Sequence, residues 1–322
     1  MKAFVYGTDG AAITDVAKPS PTSTQVLIRV RACGLNRADL GMTKGHVHGS
    51  AGGAGTVLGM EWAGEVAEVG PDTSGVRIGD RVMGSGGAAF AEYTLADHGR
   101  LFHIPTGMSF EDACTLPVAI TTMHNALVTN GALQEGQSVL IQGASSSVGL
   151  MALQIAKFKG AMTVIGSSTD AARRGRLKDF GADLAIDSKD AGWVDQVLKA
   201  TGGEGVDLII DQISGPVANQ NLKATRVMGR IVNVGRLGGT HGDFNFDLHA
   251  ARRIHYIGVT FRTRSLQEIR DIFSAVRADI WPAIESGKLK LPIDKVFAFA
   301  EIGKAFERME ANRHLGKIVV TL

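Results

Sequence analysis

Residues 138–150 read SVLIQGASSSVGL, an apolar run that stops abruptly in glycine, alanine and serine. Val139, Leu140 and Ile141 have the composition of a buried parallel strand. The LMALQIAKFKGA stretch that follows carries Leu150, Leu153, Ile155, Ala156 and Phe158 near helical spacing, so a helix is expected there. Between strand and helix, small residues leave room for a pyrophosphate to approach backbone N–H groups at the helix start. Set against the dinucleotide fingerprint G-x-G-x-x-G, however, the three glycines fall on Ala144, Ser146 and Gly149, and only the last is glycine. The loop by itself divides evenly between a nucleotide site, built from Ser146, Ser147, Val148 and Gly149, and an ordinary serine-rich turn.

The next apolar run, residues 162–165, ends at Gly166-Ser167-Ser168. A βαβ unit presents its ribose-binding residue at this place, roughly 20 residues after the loop. Serines stand where an NAD-binding carboxylate is expected, and Arg173, Arg174 and Arg176 follow. Guanidinium groups pair well with phosphate, so Ser167 and Arg173 point to NADP(H). Two alternatives stay open: the arginines form a solvated helix face, or Asp170 turns the preference to NAD(H). Strand-and-helix alternation continues through residues 184–186, 206–211 and 230–234. That order predicts a doubly wound parallel sheet with helices on both faces, and ligands outside the carboxyl ends of its strands, near Gly215 and Gly235.

The 322 residues suffice for two domains, each with its own core. A formal charge of +2 with 20% charged residues gives no basic field that would make nucleic acid the main partner. Cys33 and Cys114 are the two cysteines, too few for a disulfide framework or a four-cysteine zinc site, and both are expected to be packed and reduced. No apolar run approaches the ~20 residues that span a bilayer, and the chain opens on a strand-like KAFVY; a soluble, cytoplasmic protein is expected. Short segments rich in β-formers (VLIRVRAC, GEVAEVG, DRVMG, FAEYTLA) give the first third an antiparallel, barrel-like character. Residues 120–259 are expected to form the parallel α/β domain. Residues 1–119 and 260–322 form the other, with the closing KIVVTL strand returning to complete it.

ACGLNRAD, LGMEWAGEVAEVG, GDRVMG, FAEYTLA, VLIQGASSSVG and terminal GKIVV together resemble the medium-chain dehydrogenase/reductase superfamily almost end to end. Within it, GLNRAD and GVTFRTRS resemble the zinc-free quinone oxidoreductase branch that includes zeta-crystallin. The resemblance implies a GroES-like β-rich catalytic domain joined to a doubly wound Rossmann domain. It implies a soluble homodimer paired through the IHYIGVTF strand and NADP(H) as cofactor. The substrate would be a quinone or an activated alkene, two acceptors that sequence does not separate. Zinc-dependent relatives bind metal through a cysteine and a histidine whose positions here are Asn36 and Met60, neither a strong zinc ligand. By the same resemblance, Asn36, Asp39 and Thr121 serve catalysis, with Arg37 bracing their loop. Asn36 and Thr121 also bind cofactor, together with Gly235, Phe261 and His314. Glu61 is expected as a structural hydrogen-bond partner, and His46 and His48 as lining of a mobile substrate-entrance loop. Gly41 replaces a tyrosine found in some quinone oxidoreductases, leaving no evident proton donor. A zinc-type alcohol or carbonyl dehydrogenase and a crystallin-like NADPH-holding structural protein are the competing readings.

Overall fold

The computed structural model describes every residue except Ser50. Strands β1 (Lys2–Gly7), β2 (Gly10–Asp15) and β3 (Gln25–Gly34) precede helix α1 (Arg37–Met42). The short strands β4 (Val47–His48), β5 (Ala51–Gly52) and β6 (Thr56–Val57) lead into β7 (Glu61–Val69), β8 (Arg81–Ser85), β9 (Tyr93–Asp97) and β10 (Leu101–His103), followed by helices α2 (Phe110–Ala113) and α3 (Pro117–His124). The middle of the chain alternates: β11 (Ser138–Gln142), α4 (Ser147–Phe158), β12 (Thr163–Ser167), α5 (Ala171–Gly175), β13 (Leu184–Ile186), α6 (Trp193–Ala200), β14 (Val206–Asp211), α7 (Ala218–Ala224), β15 (Thr225–Asn233), α8 (Phe246–Arg252) and β16 (His255–Gly258). The chain closes on α9 (Leu266–Asp279), α10 (Trp281–Glu285), β17 (Ile293–Ala298), α11 (Ile302–Glu310) and β18 (Lys317–Thr321). Two compact units result, Met1–Val118 with Phe261–Leu322, and Ala119–Thr260.

In the first unit the main sheet runs β10-β8-β7-β3-β18-β17, with β9 also paired to β3. β3 is buried along most of its length because it lies inside this sheet, which is why QVLIRVRACG reads as a nearly continuous apolar run. β7 pairs with β3 through Trp62↔Cys33, and β18 pairs with it from the other side through Val319↔Gly34 and Val320↔Cys33, both antiparallel. Carrying these registers one or two residues further sets Glu61 beside Gly34 and Lys317 beside Asn36. Trp62, Phe4, Phe90 and Phe306 fill the core beneath, with Phe4 stacked on Phe306 at 5.6 Å between ring centroids.

The second unit is a six-stranded parallel sheet in the order β13-β12-β11-β14-β15-β16. From β11 the strands progress outward to β13 on one side, and from β14 to β16 on the other. Strand order therefore reverses between β11 and β14, and the crevice beyond their carboxyl ends is the topological switch point. Leu140, Ile165, Ile209 and Ile231, one from each of four neighbouring strands, pack into its core.

Two local expectations change. β15 begins at Thr225 rather than near Arg230, because Thr225 pairs with Val206 ahead of a register shift, with Met228 held at φ +64° between them. The stretch expected as a mobile loop around His46 and His48 contains a small hairpin, Val47↔Gly52 and His48↔Ala51. Gly49, at φ +66°, follows the first of its strands in a conformation that suits glycine. Among the described residues no helix is long and apolar enough to cross a membrane.

Candidate active site

Gly34 ends β3 with no side chain, and the chemistry of the first unit gathers over it. A Cβ there would lie 2.6 Å from the Cys114 carbonyl oxygen and 3.0 Å from Glu61 Oε2. Glu61, fully buried, accepts a hydrogen bond on Oε1 from the Val118 N–H at 2.7 Å. Its Oε2 accepts from the Lys317 ammonium and, at 3.1 Å, from Asn36 Nδ2. Lys317 is 1% exposed and also donates to Asn36 Oδ1 at 2.8 Å and to the Leu35 carbonyl at 3.4 Å. All three ammonium protons and both carboxylate oxygens thus have partners, as a buried pair requires.

Asn36 is also the N-cap of α1. The Asp39 carboxylate accepts the Asn36 N–H at 2.7 Å and the Asp39 N–H returns to the Asn36 backbone carbonyl at 3.0 Å, while the other carboxylate oxygen, Oδ1, is buried without a partner. Burial pushes the Asp39 carboxyl up to about 7, against the lowering pull of the Asn36 N–H and the Lys317 charge. Arg37 braces the same turn through Asn312 Oδ1 at 2.7 Å. A side chain at Gly41 would project onto His46, whose Nδ1 lies 3.3 Å from the ideal Cβ position, so an imidazole occupies the space next to that glycine. Cys33 and Cys114 are fully buried, and burial raises both thiols well above their ordinary range. Phe261 and His314 are half-buried, His314 standing three residues ahead of Lys317.

In the second unit the serine-rich loop accounts for its departure from the glycine fingerprint. The tight turn is made by Gly143 at φ +71°, one residue earlier than the fingerprint places it. Gly149 is required by packing, since a Cβ would meet Ala144 Cα and the Gly143 carbonyl, each at 2.7 Å. Between them Ser146 caps α4. Its hydroxyl accepts the Gly149 N–H at 3.1 Å and reaches the Gly143 carbonyl and Gln212 Oε1, each at 3.0 Å. Ser167 is buried, its hydroxyl accepting the Gly143 N–H at 3.0 Å and donating to Gln142 Oε1 at 2.6 Å. The hydroxyls of Ser146 and Ser167 therefore hold the turn. A ligand is offered the first-turn N–H groups of Ser147 and Val148, which have no acceptor among the described residues. Gly235 approaches the Gln212 backbone so closely that a Cβ would lie 2.9 Å from its oxygen, and Thr121 is buried in α3. Gln142 and Lys317 lie inside the VLIQGASSSVG and GKIVV segments without any role attaching to them there, and Gln212 lies in no motif.

The three arginines after β12 differ in their engagements. Arg174 donates to Asp187 and to the Ser168 carbonyl, each at 2.9 Å, and Arg176 pairs with Asp179 at 2.5 Å. Arg173 has a buried Nε with no hydrogen-bond partner, 3.7 Å from Asp170 Oδ1, which itself caps α5 by accepting the Arg173 N–H at 2.8 Å. An orphaned guanidinium N–H at this strand end, with the free N–H groups of α4, fits the phosphates of a dinucleotide. For a metal the donor chemistry does not fit. Among the described residues no three His, Cys, Asp or Glu side chains are placed to hold one, and the Glu61 carboxylate already carries the Lys317 cation.

Known proteins similar to this chain share its two-unit organisation. The alcohol dehydrogenase GroES-like domain matches residues 22–106, and the zinc-binding dehydrogenase family matches residues 147–276, a span that contains neither Asn36 nor Met60. The low-reducing polyketide synthase drtA of Aspergillus calidoustus is 30% identical over 316 residues, covering 94% of this chain and only 13% of the synthase. The chain is therefore a small fraction of that relative's length. An alcohol dehydrogenase superfamily protein from Novosphingobium aromaticivorans is 28% identical with a TM-score of 0.90, covering 100% of this chain and 99% of that one. The CurK enoyl reductase is 26% identical with a TM-score of 0.87, covering 99% of each. The chain belongs to the medium-chain dehydrogenase/reductase superfamily of nicotinamide-dependent oxidoreductases, with a GroES-like unit and a Rossmann unit.

The raised Asp39 carboxyl has a consequence for stability. Its folded value near 7 exceeds the unfolded value of 3.8, so between those limits the folded chain keeps a proton that the unfolded chain has released, and stability falls as pH rises. The Asp39→Asn variant is expected to lose that part of the slope, its denaturant midpoint declining less than wild type from pH 5 to pH 8. Parallel profiles would contradict the assignment.

Proposed function

We propose that this chain transfers hydride from NADPH to a quinone or an α,β-unsaturated carbonyl without zinc, as a member of the zinc-free quinone oxidoreductase branch. The carrying observation is the closed Lys317–Glu61–Asn36 cluster. The Glu61 carboxylate is neutralised by an internal ammonium, and Asn36 and Met60 stand in place of strong ligands. With no Lewis acid to polarise a carbonyl, the fitting acceptors are those whose added electron pair delocalises onto oxygen. The likeness to the CurK enoyl reductase supports an activated alkene in that class.

Bound NADPH supplies the hydride. The chain's part is to hold and orient: the α4 N-terminus and its free N–H groups take the pyrophosphate, and Arg173 takes the 2′-phosphate, exchanging its loose 3.7 Å approach to Asp170 for a charge-assisted bond. Gly235, Phe261, His314 and Thr121 are assigned to lining the nicotinamide end, and Asn36 and Asp39 to the reacting region. Catalysis then rests on proximity and exclusion of water rather than on an electrophile.

Cofactor oxidation measured against a panel of quinones, enones and aldehydes tests this reading. Turnover with quinones or enones well above that with simple aldehydes is expected. Tight NADPH binding with no turnover across the panel would favour a crystallin-like binding protein instead. For the cofactor, Arg173→Ala is expected to raise KM for NADPH relative to NADH by roughly 10- to 100-fold, the loss of a charge-assisted bond of ~1.5–3 kcal/mol. An unchanged ratio would remove Arg173 from the 2′-phosphate.

A further inference from the structure

The bonds around Asn36 fix which way its amide faces. Lys317 has protons only to give, so it holds the Oδ1 end at 2.8 Å; the Glu61 carboxylate has only lone pairs, so it holds the Nδ2 end at 3.1 Å. The second Nδ2 proton points to the Gly34 carbonyl at 3.3 Å. Both amide protons are thus spent inside the protein, and a second lone pair on Oδ1 is what remains for a ligand. A flipped amide would set its NH2 against the ammonium and its oxygen against the carboxylate.

We propose that Lys317 and Glu61 are positioning residues that lock the Asn36 amide as a hydrogen-bond acceptor only. In this state Asn36 Oδ1 accepts a hydrogen bond from a hydroxyl, such as one on the cofactor ribose, and Asn36 never donates to the oxygen of the substrate being reduced. The proposal rests on the reading of Asn36 as an active-site residue, and it extends that reading to Lys317, whose register position opposite Asn36 follows from β18 pairing with β3. Gly34 makes room for the arrangement, because a Cβ there would lie 3.0 Å from Glu61 Oε2 and 2.6 Å from the Cys114 carbonyl oxygen.

The lock predicts that an oxygen-only side chain can replace Asn36 if its partner is exchanged in step. Asn36→Asp alone sets a carboxylate against Glu61 and is expected to lower NADPH affinity, read by nicotinamide fluorescence, and turnover with 1,4-benzoquinone, each by at least about tenfold. In the double variant Asn36→Asp with Glu61→Ala, the site keeps a single carboxylate, now at position 36. Lys317 keeps an anionic partner where it already meets Asn36 Oδ1, and neither a second carboxylate nor an amide NH2 is set against either charge. That protein is expected to melt as a folded chain and to recover both readouts to within a few-fold of wild type. A double variant that does not fold, or that folds without regaining affinity and turnover, overturns the lock, because an Asn36 that acts as a donor has no substitute in aspartate. Asn36→Ala separates the underlying reading: unchanged NADPH affinity and turnover in that variant would remove Asn36 from the site, and the proposal with it.

Discussion

A lysine and a glutamate are paired out of water over a single glycine in the first unit, and the neighbouring strands are bound to one another by that pair. Three separate strands must be in register for it to exist: β7 brings Glu61, β18 brings Lys317, and β3 between them ends in Gly34. Breaking such a pair by removing one partner costs on the order of 3–5 kcal/mol, because the other charge is left buried. The register of the C-terminal strand is therefore fixed by electrostatics as well as by the apolar side chains of β18. The same pair determines what the neighbouring Asn36 can do, so strand pairing and site chemistry have one origin.

The second unit uses neutral hydrogen bonds for a parallel purpose. Ser146, Ser167, Gln142 and Gln212 tie the ends of β11, β12 and β14 together around the turn at Gly143. Serine replaces glycine at the middle fingerprint position because it caps α4, and it uses its hydroxyl in doing so. The free donors at this helix start are backbone groups, whose orientation is set by the helix rather than by a rotamer.

Much of the architecture was legible in the sequence because periodicity and turn residues carry it. The β11–α4 junction, the apolar strands of the parallel sheet and the terminal KIVVTL strand all stand where their patterns put them. The hairpin around His46 was hidden, since two-residue strands leave no alternation to read and their turns are made by glycines that also suit a loop. The early start of β15 was hidden too, because Arg226 and Gly229 break the apolar run while its backbone stays paired. In the first unit, Asn36, Asp39 and Glu61 could be singled out only through the family resemblance of the GLNRAD and GMEWAGE segments. Lys317 could not, because its significance depends on register across a strand 281 residues distant from Asn36, and burial of a lone lysine is not a property of its neighbours in sequence. The Gln142 and Gln212 contacts were invisible for the same reason.

In this chain an ammonium sits on the Glu61 carboxylate, and the zinc-free reading depends on it. The most direct measurement is of metal content and turnover on one sample: zinc quantified by mass spectrometry before and after exhaustive chelation, with NADPH oxidation by a quinone and an enone followed in parallel. Turnover that is unchanged while zinc falls far below one equivalent per chain is the expected result. Activity that disappears with the metal and returns when stoichiometric zinc is restored would contradict a zinc-free reaction and the role assigned to the Lys317–Glu61 pair.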